Sequence, residues 1–352
     1  MQIEAIKAEQ LTEQHRTAWS TLQRADSALH NPSFCPGFTE AVASVRDDVE
    51  IAVLRDEGRY VGFLPFHRTR HNVGLPIGTV LTDMHGLIVD SKLEWDPLEL
   101  LRECGLAAWK FDHLIATQSP FEPYIQCVEE SPYMDLRHGY EAYVEDRRSS
   151  GSSSIKRAAS KARKLERDVG PIRFVLNDEG DHAFDTVLDW KRQQLAEMHC
   201  VDMFQSDWVV DVLKAIRQTQ TEDFAGMVST LYAGDQLVAA QIGMRGTQVI
   251  SSWIPTFNSA FQKYSPGLLM HLEMAKAAAA KGIDRIDLGR GHNQMKASLR
   301  SAAIPLALGA VDRRPLNRII CHGWYRTRDL VYASPLKGLP LRSYRRVRSW
   351  LT

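Results

Sequence analysis

Apolar positions between Tyr264 and Gly291 repeat at helical and then at strand spacing. Leu268, Leu272, Ala275 and Ala279 line one stripe of a helix that opens at Ser265-Pro266 and stops at Gly282. Ser265 reads as its N-cap, and Pro266 fits the first turn, where a missing N–H costs nothing. Ile283 to Leu288 then reads as a short strand ending in a glycine turn, Gly289-Arg-Gly291. Upstream, Met227–Ala233 and Leu237–Arg245 read as strands around Gly234-Asp-Gln236, and Gln248 to Ile254 as a third strand. Phe184, Val187, Leu188, Leu195 and Met198 predict a helix from Phe184 to His199, leaving Lys191 and Arg192 to solvent or ligand.

The first half shows the same order. A helix is expected around Leu11 to Arg24, then strands Val49–Arg55 and Tyr60–His67 around the hairpin signal Asp56-Glu-Gly58. Another strand is expected near Asp83 to Asp90, then a helix from Asp96-Pro97 through Trp109 and a strand at Leu114-Ile-Ala116. The chain thus reads as one unit used twice. The expected divisions are residues 1–146, a linker and basic helix 147–170, a second unit 171–312 and a basic tail 313–352.

The two helix starts differ in chemistry. Gly267 leaves backbone N–H groups bare at the second, an arrangement that suits an anion. At the first, Glu99 already places a carboxylate there and would repel phosphate. An anionic co-substrate is therefore expected in the second unit only, with the first unit structural or substrate-facing.

Charge and cysteines narrow the setting. Lys plus Arg and Asp plus Glu number 43 each, so no polyanion such as DNA is implied by net charge. Five scattered cysteines without a CxxC point to a reducing compartment and away from zinc. The start lacks a signal-peptide core and no run reaches membrane-span length, so a cytoplasmic protein is expected. Six basic residues lie between Ser154 and Gly170 (Lys156, Arg157, Lys161, Arg163, Lys164, Arg167) and do not fall on one helical stripe. Five more follow from Lys337 to Thr352, a stretch that fits a solvated tail or a peripheral tether on the inner face of the membrane. Arg326-Thr-Arg-Asp329 matches the short Arg-x-x-Asp pattern of cyclic-dinucleotide sites.

Taken together, the hairpin, third strand, Pro-Gly helix start, Asp287-Leu-Gly-x-Gly291 and Lys296 resemble the GNAT-like acyltransferases of the Fem/CelD type. Weaker likeness extends to Asn31-Pro-Ser-Phe34 and Leu64-Pro65-Phe66. The resemblance implies a tandem α/β fold with mixed sheets, two similar units packed side by side. It also implies acyl transfer from acetyl-CoA or another acyl-CoA to an amino or hydroxyl group of a sugar or a nucleotide- or lipid-linked sugar in extracellular polysaccharide synthesis; no HExxH or paired metal ligands appear in the sequence, so no metal is expected. A Fem-type transfer from aminoacyl-tRNA to a cell-wall or lipid amine, or a non-catalytic nucleotide-sensing module, are the alternatives. One departure is that Gln262-Lys-Tyr-Ser-Pro-Gly267 replaces the usual Arg/Gln-x-x-Gly-x-Gly/Ala loop.

On this reading Ser265, Pro266, Gly267 and Leu268 hold the donor phosphate, and the backbone at Trp253 and Ile254 faces the thioester carbonyl. Pro255 either interrupts pairing there or sits at an edge. Asp287 is the first candidate base and His292 the second; Lys296 neutralises charge, and Tyr264 protonates the leaving thiolate. Arg157, Lys164, Lys191 and Arg192 are the candidate acceptor contacts.

Overall fold

The computed structural model describes residues 1–152 and 154–314. Arg326–Asp329 and the Lys337–Thr352 stretch lie outside the described residues. In the first repeat, β1 (Gln2–Lys7), α1 (Glu13–Ala25) and α2 (Pro36–Ala43) precede the hairpin β2 (Val49–Asp56) and β3 (Arg59–Arg68). Glu57 and Gly58 both have positive φ, 48° and 79°, the geometry that a two-residue hairpin turn requires. Then come β4 (Val73–Pro76), β5 (Ile88–Val89), α3 (Pro97–Glu103), β6 (Ala108–Ile115), β7 (Ile125–Asp135) and α4 (Gly139–Ser149). The second repeat holds α5 (Ser154–Asp168), β8 (Ile172–Val175), α6 (Asp181–Glu197), α7 (Asp207–Gln218), β9 (Ala225–Ala233), β10 (Gln236–Arg245), β11 (Val249–Phe257), α8 (Pro266–Ala280), β12 (Arg285–Asp287), α9 (Gln294–Leu299) and β13 (Ala302–Asp312).

Twelve of the strands lie along one mixed sheet in the order β1-β2-β3-β4-β6-β13-β7-β12-β11-β10-β9-β8, with β5 pairing β3 off the path. Read from its two ends, the order is the same unit twice. At the centre the repeats trade their last strands: β7 of the first lies against β12, and β13 of the second against β6. β7 and β13 pair antiparallel from Ala302↔Tyr133 to Gly309↔Ile125, which binds the repeats along a backbone ladder. The fold is a mixed α/β, tandem GNAT-like one.

Helices cover the sheet. α8 packs on β10 and β11, sharing one core with α4 and α5, while α6, α7 and α2 share another. α7 places Val209, Val212, Leu213 and Ile216 inward at i, i+3, i+4 and i+7. Met1–Val311 is one compact unit. Among the described residues no helix is long and apolar enough to cross a membrane.

Several expected elements are corrected. The helix opened by Pro97 ends at Glu103, because Gly105 turns left-handed at φ 65° and Trp109 is buried in β6. Instead of a strand over Asp83 to Asp90, only Ile88–Val89 forms a strand, with an isolated bridge at His85, and the residues before it fill a gap in the sheet described below. Met198 leaves the apolar face of α6 after the helix ends and is 61% exposed.

Candidate functional site

The site begins where two parallel strands part. β11 pairs with β12 only from Val249↔Arg285 to Ser251↔Asp287. Beyond Ser251, β11 runs on to Phe257 paired with β10 alone, so a crevice opens on its other side. In the β10 register, Ile242 faces Ile254 and Met244 faces Ser251, so Gly243 alone opposes Ser252 and Trp253. That is a β-bulge on β11, a device that re-aims backbone groups beside a site. Pro255 stays in register opposite Gln241, so the break in pairing belongs to Ser252-Trp253 and not to the proline. Ile254 is buried and Trp253 half-buried.

α8 starts beside this opening. Ser265 occupies the cap position with φ 55° and ψ 55°, and its side chain caps nothing. The expected serine N-cap is therefore corrected: Ser265 Oγ accepts from Lys161 Nζ on α5 at 2.7 Å. Among the described residues the Gly267 N–H carries no hydrogen bond. A Cβ on Gly267 would lie 3.5 Å from Met295 Sδ and 3.9 Å from Phe257, so this helix start looks toward α9 and the end of β11. Pro266 is buried and Leu268 half-buried in the first turn.

A buried polar link joins the helix start to the bulge. His271, 1% exposed, has Nδ1 2.7 Å from Gly267 O, an atom that only accepts, so Nδ1 carries the proton. Nε2 lies 2.9 Å from Ser252 Oγ, and the Ser252 hydroxyl donates to Gln241 Oε1 at 2.7 Å. Burial pushes the ring pKa down and keeps it neutral.

Three titratable groups gather near the end of β12. Asp287 is 1% exposed; it accepts from Asn31 Nδ2 at 2.7 Å and pairs with Arg285 Nε at 2.8 Å. Burial pushes its carboxyl up, against the pull of Arg285 and Asn31. Lys296 Nζ donates to Gly289 O at 3.0 Å and Arg290 O at 2.9 Å, and burial lowers its pKa. Asp83 comes from the first repeat and accepts from Ser251 Oγ at 3.2 Å. A point beside Gly289 lies 3.6 Å and 3.8 Å from the Asp83 oxygens and 3.8 Å from Lys296 Nζ. Burial raises the Asp83 pKa, His113, Lys296 and Ser251 oppose the rise, and Asp287 adds to it.

Asp83 reaches this place because the matching crevice of the first repeat is plugged. β4 pairs with β6 only at Val73↔Ala108 and Gly74↔Trp109. Beyond that the chain around His85 takes the vacated edge: His85 N donates to His113 O and Ile115 N to His85 O, both at 3.0 Å. Leu81, Met84 and Leu87 are wholly buried there. The first helix start is closed as well. Asp96 accepts from Leu98 N and Glu99 N, while Glu99 turns to Arg102.

The other expected site residues are less gathered. His292 is exposed in the Gly289–Asn293 loop and carries no hydrogen bond among the described residues. Tyr264 is 3% exposed and donates to Asp168 at 3.0 Å, so the expected thiolate acid already has a carboxylate partner at the end of α5. Lys191 is half-buried on α6. Its Nζ donates to Gln194 and, at 3.4 Å, to Pro255 O on β11, and burial lowers its pKa. Arg192, one position on, bonds Phe204 O instead. Arg157 and Lys164 are exposed on α5. At helical spacing the six basic residues of α5 fall within about 160° of arc, opposite buried Ile155, Ala158 and Leu165. Asp83, Ser252 and His271 carry no sequence motif that would place them at the site.

The bulged strand, its parted neighbour and the α8 start all belong to the second repeat. Residues 152–297 match the family model of the acetyltransferase (GNAT) domain. No curated protein matches the chain by sequence. Among solved structures, FemX is similar at 10% identity over 90% of this chain and 99% of that chain, with a TM-score of 0.59. The C-terminal domain of a candidate lysylphosphatidylglycerol synthetase from Agrobacterium fabrum is similar at 11% identity over 87% of this chain and 95% of that chain, with a TM-score of 0.52. At these identities the likeness speaks for the fold.

Proposed function

We propose that the protein transfers an acyl group, acetyl in the first instance, from acyl-CoA to an amino or hydroxyl group of a sugar precursor for extracellular polysaccharide. The observation that carries the acyl-CoA part is the cradle: an unpaired, bulged edge of β11 leading to the α8 start, where Gly267 exposes an N–H and Lys161 adds a cation. On this reading the donor phosphates sit at Pro266–Leu268, where backbone donors and the helix dipole favour negative charge. The acyl arm runs along β11 toward Ser252-Trp253, where a backbone N–H meets the developing oxyanion. Lys296 supplies positive charge beside the reacting carbonyl. The first repeat, residues 1–146, is the substrate-facing unit, its own crevice being filled. The sugar acceptor rests on the resemblance to the exopolysaccharide group.

A second reading is favoured by one specific observation. Lys156, Arg157, Arg163, Lys164 and Arg167 form an exposed cationic face on α5, next to the Lys161 that touches the helix start. That face suits a donor with more phosphates than CoA, as in Fem-type transfer from aminoacyl-tRNA. Thermal-shift titration against acetyl-CoA, longer acyl-CoAs and charged tRNA separates the two. A shift with acetyl-CoA supports the first reading, and a shift with tRNA alone replaces it by the second.

A further inference from the structure

The donor-side wall of the crevice belongs to the second repeat, but Asp83 belongs to the first. Asp287 is ill placed to meet a substrate: it is 1% exposed, with Arg285 on one oxygen and Asn31 on the other. Asp83 is different. One of its oxygens takes the Ser251 hydroxyl, and the other carries no hydrogen bond among the described residues. Asp83 is a half-buried residue. Ser251 immediately precedes the bulge, so this carboxylate stands one residue from the strand position assigned to the thioester carbonyl. The Lys296 ammonium beside it donates to Gly289 O and Arg290 O, and His113 is engaged with Asp112 at 3.1 Å.

We propose that Asp83 is the acceptor-side catalytic residue and that it makes the acceptor a primary amine. The inference rests on the acyl-transfer reading above and narrows its acceptor class. A carboxylate with an open oxygen beside the reacting centre attracts an ammonium group and gives a hydroxyl no comparable gain. Asp83 takes one proton from the ammonium. The freed amine forms a C–N bond at the acyl carbon as the C–S bond breaks, and the second nitrogen proton passes to the leaving thiolate. The products are the amide and the free thiol of CoA, and Asp83 returns its proton to solvent. The repeat that lost its donor crevice thus supplies the base for its neighbour.

The test uses the full chain with acetyl-CoA, glucosamine as the amine, glucose as its hydroxyl counterpart, and hydroxylamine, which is largely unprotonated at neutral pH and has little use for a base. The expected result is transfer to glucosamine and not to glucose. Asp83→Asn lowers transfer to glucosamine by about 10²–10⁴-fold but leaves transfer to hydroxylamine within a few fold and acetyl-CoA binding intact, and Asp83→Glu restores part of the glucosamine rate. Equal losses with both nucleophiles, an unaffected glucosamine rate, acylation of glucose alone, or wild-type binding of acetyl-CoA without transfer to any amine overturns the inference. Failure of the wild type to bind acetyl-CoA at all instead removes the acyl-CoA reading beneath it.

Discussion

Asn31 and Asp287 stand 256 positions apart and meet at 2.7 Å, the amide of one repeat donating to the carboxylate of the other. Asn31 Oδ1 accepts in turn from Ser33 N and Ser33 Oγ, so the amide cannot turn away. The contact fixes the end of β12 where it parts from β11. Asn31→Ala leaves a wholly buried carboxylate short of a donor and is expected to cost about 1–3 kcal/mol of folding stability. Urea denaturation measures it, and an unchanged midpoint would show that Arg285 alone holds Asp287.

His271 is expected to act as a positioning residue for the donor. Its ring ties Gly267 to Ser252, the helix start to the bulge. His271→Phe keeps an aromatic ring but leaves Ser252 without its ring partner, at about 1–3 kcal/mol in stability. The KM for acetyl-CoA should rise more than kcat falls. A variant with wild-type KM and reduced stability would confine His271 to packing.

The pH dependence of stability carries a definite sign. Burial raises the folded-state pKa of Asp83 above the ordinary aspartate value of 3.8, so the folded state holds its proton longer than the unfolded chain. Stability is therefore lost as pH rises through the folded pKa. Asp83→Asn removes that loss. It should be more thermostable than wild type at neutral pH, with the gap closing as pH falls toward 3.8. Melting temperatures across that range test it, and a variant less stable than wild type at neutral pH would mean that Lys296 and Ser251 outweigh burial.

The parts of the fold that were legible are those set by short-range chemistry. Asp56-Glu-Gly58 and Gly234-Asp-Gln236 specify hairpins, and Ser265-Pro266 with Gly282 frames a helix. β7 and β13 were not legible. β7 has no clean alternation of buried and exposed positions, and β13 contains Pro305 and Gly309, because both are shaped by each other in the exchange at the centre of the sheet. α7 carries a readable helical period in Val209, Val212, Leu213 and Ile216. Within the site, Asp287, Lys296, Trp253 and Gly267 were legible from one glycine-rich stretch and one strand. Asp83 and Asn31 were not, since only tertiary pairing carries them across the repeat boundary.

One measurement reaches the central claim directly: calorimetric titration of the full chain with acetyl-CoA, beside Gly267→Ala and Gly267→Glu. Gly267 has no positive φ, and a Cβ there makes ordinary contact with Met295, so the alanine variant should fold and bind. The glutamate places a carboxylate at the bare helix start and should weaken binding by about 1–3 kcal/mol. The plugged first crevice and the Asp96 cap allow one equivalent per chain. One equivalent, kept in the alanine variant and weakened in the glutamate variant, is the predicted result. Two equivalents, or equal affinity in a folded glutamate variant, would contradict it.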